Sequence, residues 1–376
     1  MTAHALLSAS GSKRWLTCTP SARLEATLPE QKKAAGSFDF SQEGTMAHSL
    51  AEIKLRHIFN QIDYEEYQRE YDIIKNTPFY NDDFEANVDN YVLYVRSQVG
   101  EGDTPLFEQR VDFSDWVPDG FGTADVVILS KHAIRVIDLK FGKGIPVSAV
   151  DNTQLRLYAL GAYSKFKEEY PDLKEVSYTI HQPRLDSISS DGTTVTKLVD
   201  WANYFVKPKA KKAWSGSGEF LPGEWCQFCR AKAQCRARSD FNNQIAALEF
   251  REPALLNEQE FDLVLSNADQ VKNYINDVQS FALNRAVNDN IIPTGYKLTT
   301  TKTHRKIGDQ ALAATVLMEK GFKEAEIFEP KSLKSIAQLE KLGQKGQVAA
   351  VLGGLILRPD GAPKLVKDKA IEEDFK

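Results

Sequence analysis

The sequence predicts an α/β fold, in which a mixed sheet is flanked by helices and followed by a smaller α+β extension. Two stretches rich in helix-forming residues, 43–76 and 84–99, precede any strand pattern. Three short runs rich in β-branched residues come next, and a helical stretch at residues 152–169 then leads into a further strand pattern at residues 175–180. Helices that alternate with strands are typical of an α/β domain.

The three strand runs predict consecutive antiparallel strands, because only short turn-like segments connect them. They cover residues 106–113, 124–129 and 134–139. A lysine-rich helix is predicted over residues 201–214. The elements predicted beyond it are a long helix, an extended segment and two short helices, at residues 255–288, 295–307, 310–320 and 331–342.

Composition and charge are those of an ordinary globular protein. The chain has 376 residues, of which 42% are hydrophobic and 26% charged, and this excludes wholesale disorder and fibrous repeats. We expect one domain over residues 1–245 and a C-terminal extension of unknown role over residues 246–376. The formal net charge of −5 argues against coating a DNA duplex with the whole surface, although a local basic groove remains compatible with it.

The sequence predicts a cytoplasmic protein with no membrane segment. No run approaches the roughly 18–20 apolar residues that a membrane helix needs, and the N-terminal segment lacks the basic residues that open a secretory signal. Only four cysteines occur, and three of them lie within ten residues. In a reducing compartment such clustering favours a metal site over disulfides.

The strongest chemical signal lies in the hairpin of the second and third predicted strands. Asp125 opens one strand, and Asp138 lies near the end of the next. Side chains alternate along a strand, so Asp138 and Lys140 point the same way while Leu139 turns into the core. Two carboxylates beside an amine can hold a divalent cation next to a positive charge, which suits phosphodiester hydrolysis. Alternatively, Asp138 and Lys140 form a solvent-facing ion pair on an ordinary strand.

Two helical patterns flank this hairpin. Upstream, His48 lies four residues after Gly44, and an imidazole beside carboxylates makes a mixed site that accepts Mn²⁺ as well as Mg²⁺. Downstream, Gln154 and Tyr158 share one helix face and can hydrogen-bond a substrate phosphate or the lysine. Each pattern by itself also fits an ordinary helix, since a lone histidine is more often a surface or core residue.

Taken in order, the patterns Gly-x-x-x-His, Gly-x-x-Asp, Asp-x-Lys and Gln-x-x-x-Tyr resemble the RecB-type branch of the PD-(D/E)xK nuclease superfamily. The resemblance implies a restriction-endonuclease-like sheet and an assignment of roles. The groups that would ligate Mg²⁺ or Mn²⁺ are His48, Asp125, Asp138 and the carbonyl of Leu139. The side chains that would serve catalysis are Asp125, Asp138, Lys140, Gln154 and Tyr158, with Lys140 as the catalytic lysine.

The four cysteines divide into Cys18 and a C-terminal trio, Cys226, Cys229 and Cys235. Four thiolates suit tetrahedral zinc or a [4Fe–4S] cluster, and zinc sites usually pair two Cys-x-x-Cys units, of which only one is present. The one-plus-three division is similar to the iron–sulfur staple of AddB-type and CRISPR-associated RecB-like exonucleases, which implies a [4Fe–4S] cluster rather than zinc. Alternatively, Cys18 is an inert buried thiol.

Two sets of basic residues are candidates for contact with a phosphate backbone. The first lies on the lysine-rich helix, where a solvated helix face explains it equally well: Lys207, Lys209, Lys211 and Lys212. The second surrounds the cysteine trio and is the stronger candidate: Arg230, Lys232, Arg236 and Arg238. Nothing resembles a recognition helix, so we expect no sequence-specific readout.

These patterns predict a metal-dependent deoxyribonuclease that binds DNA, and an exonuclease because RecB-type relatives usually resect ends. The layout of the whole chain also resembles phage-encoded RecB-like proteins, which implies a recombination or replication context, a partner protein of that process and a location in the host cytoplasm. Two alternatives stay open. One is a catalytically inactive module that binds DNA or a partner and keeps a metal cluster for folding. The other is a zinc-stapled structural protein.

Overall fold

The computed structural model describes residues 5–29, 40–144, 146–246, 257–300, 306–329, 332–333, 336–339, 347–357 and 363–367. The chain divides into two compact units, Met1–Ile275 and Asn276–Lys376. The domain boundary after residue 245 stays a prediction. Every helix in the described ranges is too short or too polar to cross a membrane.

Five helices precede the sheet. They are α1 (Ser12–Thr17), α2 (Ser21–Ala26), α3 (Phe40–Ile58), α4 (Tyr64–Lys75) and α5 (Asp82–Gln98). The helical stretch predicted over residues 43–76 is therefore two helices. Asn60 takes a left-handed conformation (φ 56°) after α3, and the carboxylate of Asp63 accepts a hydrogen bond from the N–H of Glu66 to begin α4.

The first unit contains a five-stranded mixed sheet. Its strands are β1 (Thr104–Asp112), β2 (Phe121–Leu129), β3 (Ala133–Leu139), β4 (Glu175–Gln182) and β5 (Ser187–Thr194), and they lie side by side in that order. Neighbouring strands are antiparallel except for β3 and β4, which are parallel and are joined through helix α6 (Thr153–Phe166). The predicted fold class, a mixed sheet flanked by helices, is confirmed.

Both faces of the sheet are covered by helices. On β2, Val127 and Leu129 pack into one hydrophobic cluster with α1, α2 and α6, while Val126 and Ile128 pack into a second cluster with α3, α4 and α5. Because side chains alternate along a strand, β2 buries side chains on both faces of the sheet from Val126 to Leu129. The sheet therefore forms the middle of three layers, with helices packed on each of its two faces.

Strand β5 is absent from the sequence-based prediction. Its sequence is polar, its residues alternate between exposed and partly exposed, and it occupies one end of the sheet. An edge strand needs no apolar run, because only one of its sides is paired and its side chains are not enclosed. The apolar pattern that predicts central strands is therefore missing here.

The predicted helix over residues 201–214 is part of one continuous helical segment. It consists of α7 (Val195–Trp201), a π-helical turn (Ala202–Val206) and α8 (Lys207–Ser215). After the cysteine trio come α9 (Arg236–Ala246) and the long helix α10 (Glu258–Asn288).

The second unit contains short elements around a small core of its own. The strands are β6 (Tyr296–Thr300), β7 (Lys306–Ile307), β8 (Phe328–Glu329), β9 (Ser332–Leu333), β10 (Ile356–Leu357) and β11 (Pro363–Lys367), paired as β6–β11, β7–β10 and β8–β9. The helices are α11 (Gln310–Glu319), α12 (Glu324–Ile327), α13 (Ile336–Leu339) and α14 (Gln347–Leu352). The helix predicted over residues 331–342 is wrong at its start, because β9 occupies that position.

Candidate active site and cysteine pocket

The candidate site begins where strands β1 and β2 depart from regular geometry. The pairs Phe107–Val126 and Gln109–Ala124 place Glu108 of β1 opposite Asp125 of β2. Glu108 takes a left-handed backbone conformation (φ 46°) that is rare for a residue with a side chain. On β2, Ala124 packs in the layer of α6 although Val126, two residues later, packs in the layer of α3. A regular strand puts such residues on one face. The kink turns both carboxylates towards α3.

His48 from α3 completes a group of three potential metal ligands with these carboxylates. One ligand atom from each of His48, Glu108 and Asp125 lies within 4.8 Å of the other two. Nδ1 of His48 is 3.3 Å from Oδ2 of Asp125 and 4.0 Å from Oε1 of Glu108. One imidazole and two carboxylates form a mixed N/O donor set of the kind that Mn²⁺ and Mg²⁺ accept. The residues present therefore fit a divalent cation.

The charges of this group also favour a cation. Burial, followed by the charge of Asp125, raises the pKa of Glu108 to about 7. Burial opposes the charged form of His48, but the combined attraction of Asp125, Asp138 and Glu108 outweighs it and raises the pKa of the imidazole to about 9. The pKa of Asp125 is lowered, because His48 and Lys140 outweigh the effect of burial. Without a metal, a proton on His48 stabilises these carboxylates, and a bound cation would take over that role.

A buried hydroxyl faces the same pocket. Tyr91 from α5 is 1% exposed and lines the pocket with His48, Glu108 and Asp125. Its hydroxyl has no hydrogen-bond partner among the residues that the structure describes. Burying a hydroxyl without a partner is unfavourable, and the water shell of a cation would supply one. The orphaned hydroxyl is a second sign that the pocket suits a hydrated ion.

The second predicted carboxylate, Asp138, belongs to a separate hydrogen-bonded network. Its Oδ2 is 2.9 Å from Nζ of Lys140, and its Oδ1 accepts a hydrogen bond of 3.2 Å from Nε2 of Gln154. Nε2 of Gln154 also donates to the hydroxyl of Tyr158 at 3.2 Å, and Nζ of Lys140 donates to Oε1 of Gln154 at 3.4 Å. The structure thus brings four of the predicted residues together in one connected set.

Leu139 joins the network to the three-ligand group. Its backbone N–H donates a 2.7 Å hydrogen bond to Oδ2 of Asp125, and its side chain is buried as expected. Burial raises the pKa of Asp138 even though Lys140 acts against this shift. Asp138 itself lies outside the group of three, so its role as a metal ligand, like that of the Leu139 carbonyl, stays a prediction.

The start of α6 positions the substrate-side residues. The side chain of Asn152 caps the helix by accepting hydrogen bonds from the N–H groups of Gln154 and Leu155, at 3.1 and 3.2 Å. This fixes Gln154 in the first turn, and Tyr158 follows one turn later on the same face. Helix α1 supports the same end of α6, because Oγ of Ser12 and Oγ1 of Thr153 are 2.6 Å apart.

The four cysteines, although far apart in sequence, line one pocket. All four are free thiols, and burial raises the pKa of Cys18, of Cys226 and, to about 12, of Cys229. Within the described residues, no three of the sulfur atoms lie within 4.8 Å of one another. Thiolates around one zinc ion lie closer together, at about 4 Å, because each Zn–S bond is about 2.3 Å.

Basic residues beside this pocket bind the protein itself. The guanidinium of Arg230 donates to the carbonyls of Leu28 and Pro29, both at 2.8 Å. Arg238 is only 5% exposed, and it donates to the carbonyl of Lys232 at 3.0 Å. The prediction that the set around the trio contacts a phosphate backbone is therefore wrong for Arg238, which is buried, and Arg230 already has protein partners.

The sequence matches a known protein family over nearly its whole length. The model described as "Protein of unknown function (DUF2800)" matches residues 4–371, which is nearly the whole chain. The chain belongs to the DUF2800 family. The candidate site and the cysteine pocket both lie within the matched residues.

Two solved structures show weak similarity to this DUF2800 protein. One, from Eubacterium rectale, is provisionally described as an exonuclease; it has 14% identity and a TM-score of 0.33, and the match covers 60% of this chain and 86% of that one. The other is SSO0001, with 13% identity, a TM-score of 0.23 and coverage of 58% and 94%. Both similarities are too distant to bear on function.

Sequence reasoning missed two residues of the candidate site in this DUF2800 protein. Glu108 could have been found from the hairpin register, since counting back from the turn places it opposite Asp125. The sequence gives no such signal for Tyr91, because an aromatic residue on the apolar face of a helix usually packs in the hydrophobic core. Its exceptional feature is the unpaired hydroxyl, which only the packing of α5 against the sheet shows.

The glycine of Gly-x-x-Asp gives a prediction about packing. A Cβ atom on Gly122 would lie 2.7 Å from Cε1 of Tyr158, so we expect Gly122→Ala to lower the free energy of unfolding by about 1–3 kcal/mol and to displace Tyr158. The matched control is Gly44→Ala in α3, where a Cβ meets nothing within 4 Å and alanine favours the helix by about 1 kcal/mol. Urea unfolding measures both, and equal destabilisation by the two substitutions would contradict the prediction.

Proposed function

We propose that this protein is a metal-dependent deoxyribonuclease of the RecB-like PD-(D/E)xK type, acting as an exonuclease. One observation carries the proposal. The three-ligand group of His48, Glu108 and Asp125 lies next to the network of Asp138 and Lys140, and the Leu139 backbone connects the two. Cation ligands beside a charged amine are what hydrolysis of a phosphodiester requires.

The three-ligand group would hold Mg²⁺ or Mn²⁺, with Asp138 and the Leu139 carbonyl as further ligands. When bound, such a cation lowers the pKa of its water and neutralises charge on the reacting phosphate. Sequence specificity is not part of the proposal, because nothing in the sequence resembles a recognition helix for the major groove.

The network supplies the charge and the hydrogen bonds on the substrate side. Burial opposes the charged form of Lys140, but the combined attraction of Asp138 and Asp125 outweighs it and raises the pKa of the amine. Lys140 is therefore positively charged and can attract an anionic phosphate. Burial raises the pKa of Tyr158 to about 12, so its hydroxyl stays neutral and can donate a hydrogen bond. Gln154 forms hydrogen bonds with Asp138, Lys140 and Tyr158 and thereby fixes the positions of these side chains relative to one another.

We propose also that the four cysteines bind a [4Fe–4S] cluster rather than zinc. Their convergence on one pocket supports a shared metal group, and the presence of one Cys-x-x-Cys unit, where zinc sites usually pair two, favours a cluster. Such a group would tie the N-terminal segment that carries Cys18 to the segment before α9. Free thiolate ligands imply a reducing compartment such as the cytoplasm. A phage recombination or replication process, with a partner protein, is the setting we propose.

The test is degradation of end-labelled linear and closed circular DNA with Mn²⁺ or Mg²⁺, by the wild type and by Asp138→Ala. An exonuclease degrades linear DNA and spares closed circles, and Asp138→Ala is expected to degrade neither substrate. If the wild type also cleaved closed circles and Asp138→Ala did not, the proposed chemistry would stand, but the protein would be an endonuclease rather than an exonuclease. If both proteins were inert with their metal content intact, the enzyme proposal would be wrong and the DNA- or partner-binding module would replace it.

A further inference from the structure

An aromatic and basic surface lies on the helical segment of residues 201–212, and we call it the 201–212 face. Tyr204 is 82% exposed, the most of any large apolar or aromatic side chain among the described residues, and Phe205 is 41% exposed. Trp201 stacks on Phe205 with a centroid distance of 6.3 Å and an interplanar angle of 21°. Nζ of Lys209 lies 4.3 Å from the Phe205 ring. A merely solvated helix face does not account for these exposed rings.

The charge of this face is positive and locally uncompensated. Its four lysines are Lys207, Lys209, Lys211 and Lys212, and no acidic residue occurs from Trp201 to Gly218. The chain as a whole has a net charge of −5, so this stretch is set apart from the rest. Lysine side chains exposed beside aromatic rings are complementary to a polyanion that also presents flat apolar groups.

The 201–212 face is held in position by its helical backbone and by side-chain contacts with neighbouring segments. Its first turn is π-helical, Ala202–Val206, a geometry found mostly as single turns and often at functional sites. Oδ1 of Asn203 accepts a 2.9 Å hydrogen bond from Nε1 of Trp116. The guanidinium of Arg156 lies 5.6 Å from the Trp201 ring, and Arg156 belongs to α6, the helix that carries Gln154 and Tyr158. The face is thus anchored to the helix that supplies the substrate-side residues.

We propose that the 201–212 face binds single-stranded DNA, with a base stacked on Tyr204 and the phosphates paired with the lysines. This proposal rests on the proposed nuclease function, and it adds that the DNA substrate is bound as a single strand. Single-stranded DNA is the occupant that fits both features, because only unpaired bases offer their planes to an exposed ring. A duplex presents phosphates alone and would use the lysines without Tyr204.

The test is the affinity of the full chain for a fluorescent oligothymidylate of about 20 nucleotides, long enough for one binding groove, in buffer without added divalent metal. Tyr204→Ala is expected to weaken binding about 5- to 150-fold, as the loss of one or more stacked bases does. Tyr64→Ala is the matched control, since Tyr64 is another exposed tyrosine (63%) on α4, and we expect no change. Lys207→Gln with Lys211→Gln should reduce the slope of log K against log salt by about 1.4.

An abasic strand of the same length separates stacking from charge. On this strand Tyr204→Ala should bind as the wild type does, while the lysine substitutions should still weaken binding. The proposal is overturned if Tyr204→Ala leaves oligothymidylate binding unchanged, if Tyr64→Ala weakens it as much, or if duplex DNA binds as tightly and with the same response to Tyr204→Ala. Because no metal is added and no active-site residue is changed, these outcomes are independent of whether the chain cleaves DNA.

Discussion

Replacing Lys140 by alanine is expected to lower the rate of Mn²⁺-dependent DNA degradation by about 10²–10³-fold, the usual effect of removing one preorganised charged donor from an active site. Lys140 is held 2.9 Å from Asp138 and within reach of Gln154, so its ammonium has a fixed position beside the three-ligand group. End-labelled linear DNA and initial rates at saturating Mn²⁺ measure the effect.

The matched control is Lys143→Ala, three residues further along the chain. Lys143 has an exposed side chain and only a 4.0 Å contact with Asp83, and surface pairs of this kind contribute little. We expect the control to keep the wild-type rate. Lys140→Ala should also keep its Mn²⁺ affinity, because the amine is not a ligand. A wild-type rate for Lys140→Ala, or an equal loss in the control, would contradict the role proposed for Lys140.

Replacing any one cysteine of the pocket by serine is expected to remove most of the bound iron. Wild-type protein purified without oxygen should be brown, with a broad absorption near about 400 nm, and Cys18→Ser and Cys226→Ser should lose it. Both variants should also unfold at a lower temperature, because ligand binding to the folded state contributes directly to its stability. Iron content, the absorption spectrum and thermal unfolding provide three independent readouts.

The control for this prediction is Gln227→Ala, an exposed position between Cys226 and Cys229, which should keep both colour and iron. Full iron content in Cys18→Ser would show that Cys18 is an inert buried thiol. Zinc without iron in the wild type would make the cluster proposal wrong and leave the nuclease proposal as it stands, since the two sites share no residue.

The elements that position the site could be predicted because each one has its own local signal. The β-branched runs that became β1, β2 and β3 are short and bounded by turns, and the paired register of β2 and β3 runs up to Val126 opposite Ile137, the residues next to Asp125 and Asp138. Gln154 and Tyr158 follow from helical spacing alone. Strand and helix patterns repeat every 2 and every 3.6 residues, respectively. They depend only on residues close together in the sequence, so a single sequence shows them.

The rest depends on backbone geometry or on contacts between distant segments. Glu108 reaches His48 only because its backbone takes a left-handed conformation, and nothing in its immediate sequence requires this. Asp125 lies in the group with His48, whereas Asp138 contacts Lys140, and the prediction that both aspartates ligate one cation stays a prediction. Arg238 carries a charge that suggested a surface role, yet the fold buries it.

The most direct test of the central claim is a calorimetric titration of the wild type and of Asp125→Asn with Mn²⁺ in buffers of different protonation enthalpy. Because the pKa of His48 is about 9 and that of Glu108 about 7, the wild type should bind Mn²⁺ near pH 8 and release about one proton, and its affinity should rise about tenfold per pH unit around that pH. Asp125→Asn should not bind, while Glu101→Gln, in an exposed turn, should behave as the wild type. Unchanged Mn²⁺ binding by Asp125→Asn, or none by the wild type at millimolar metal, would contradict the metal site and the nuclease chemistry built on it.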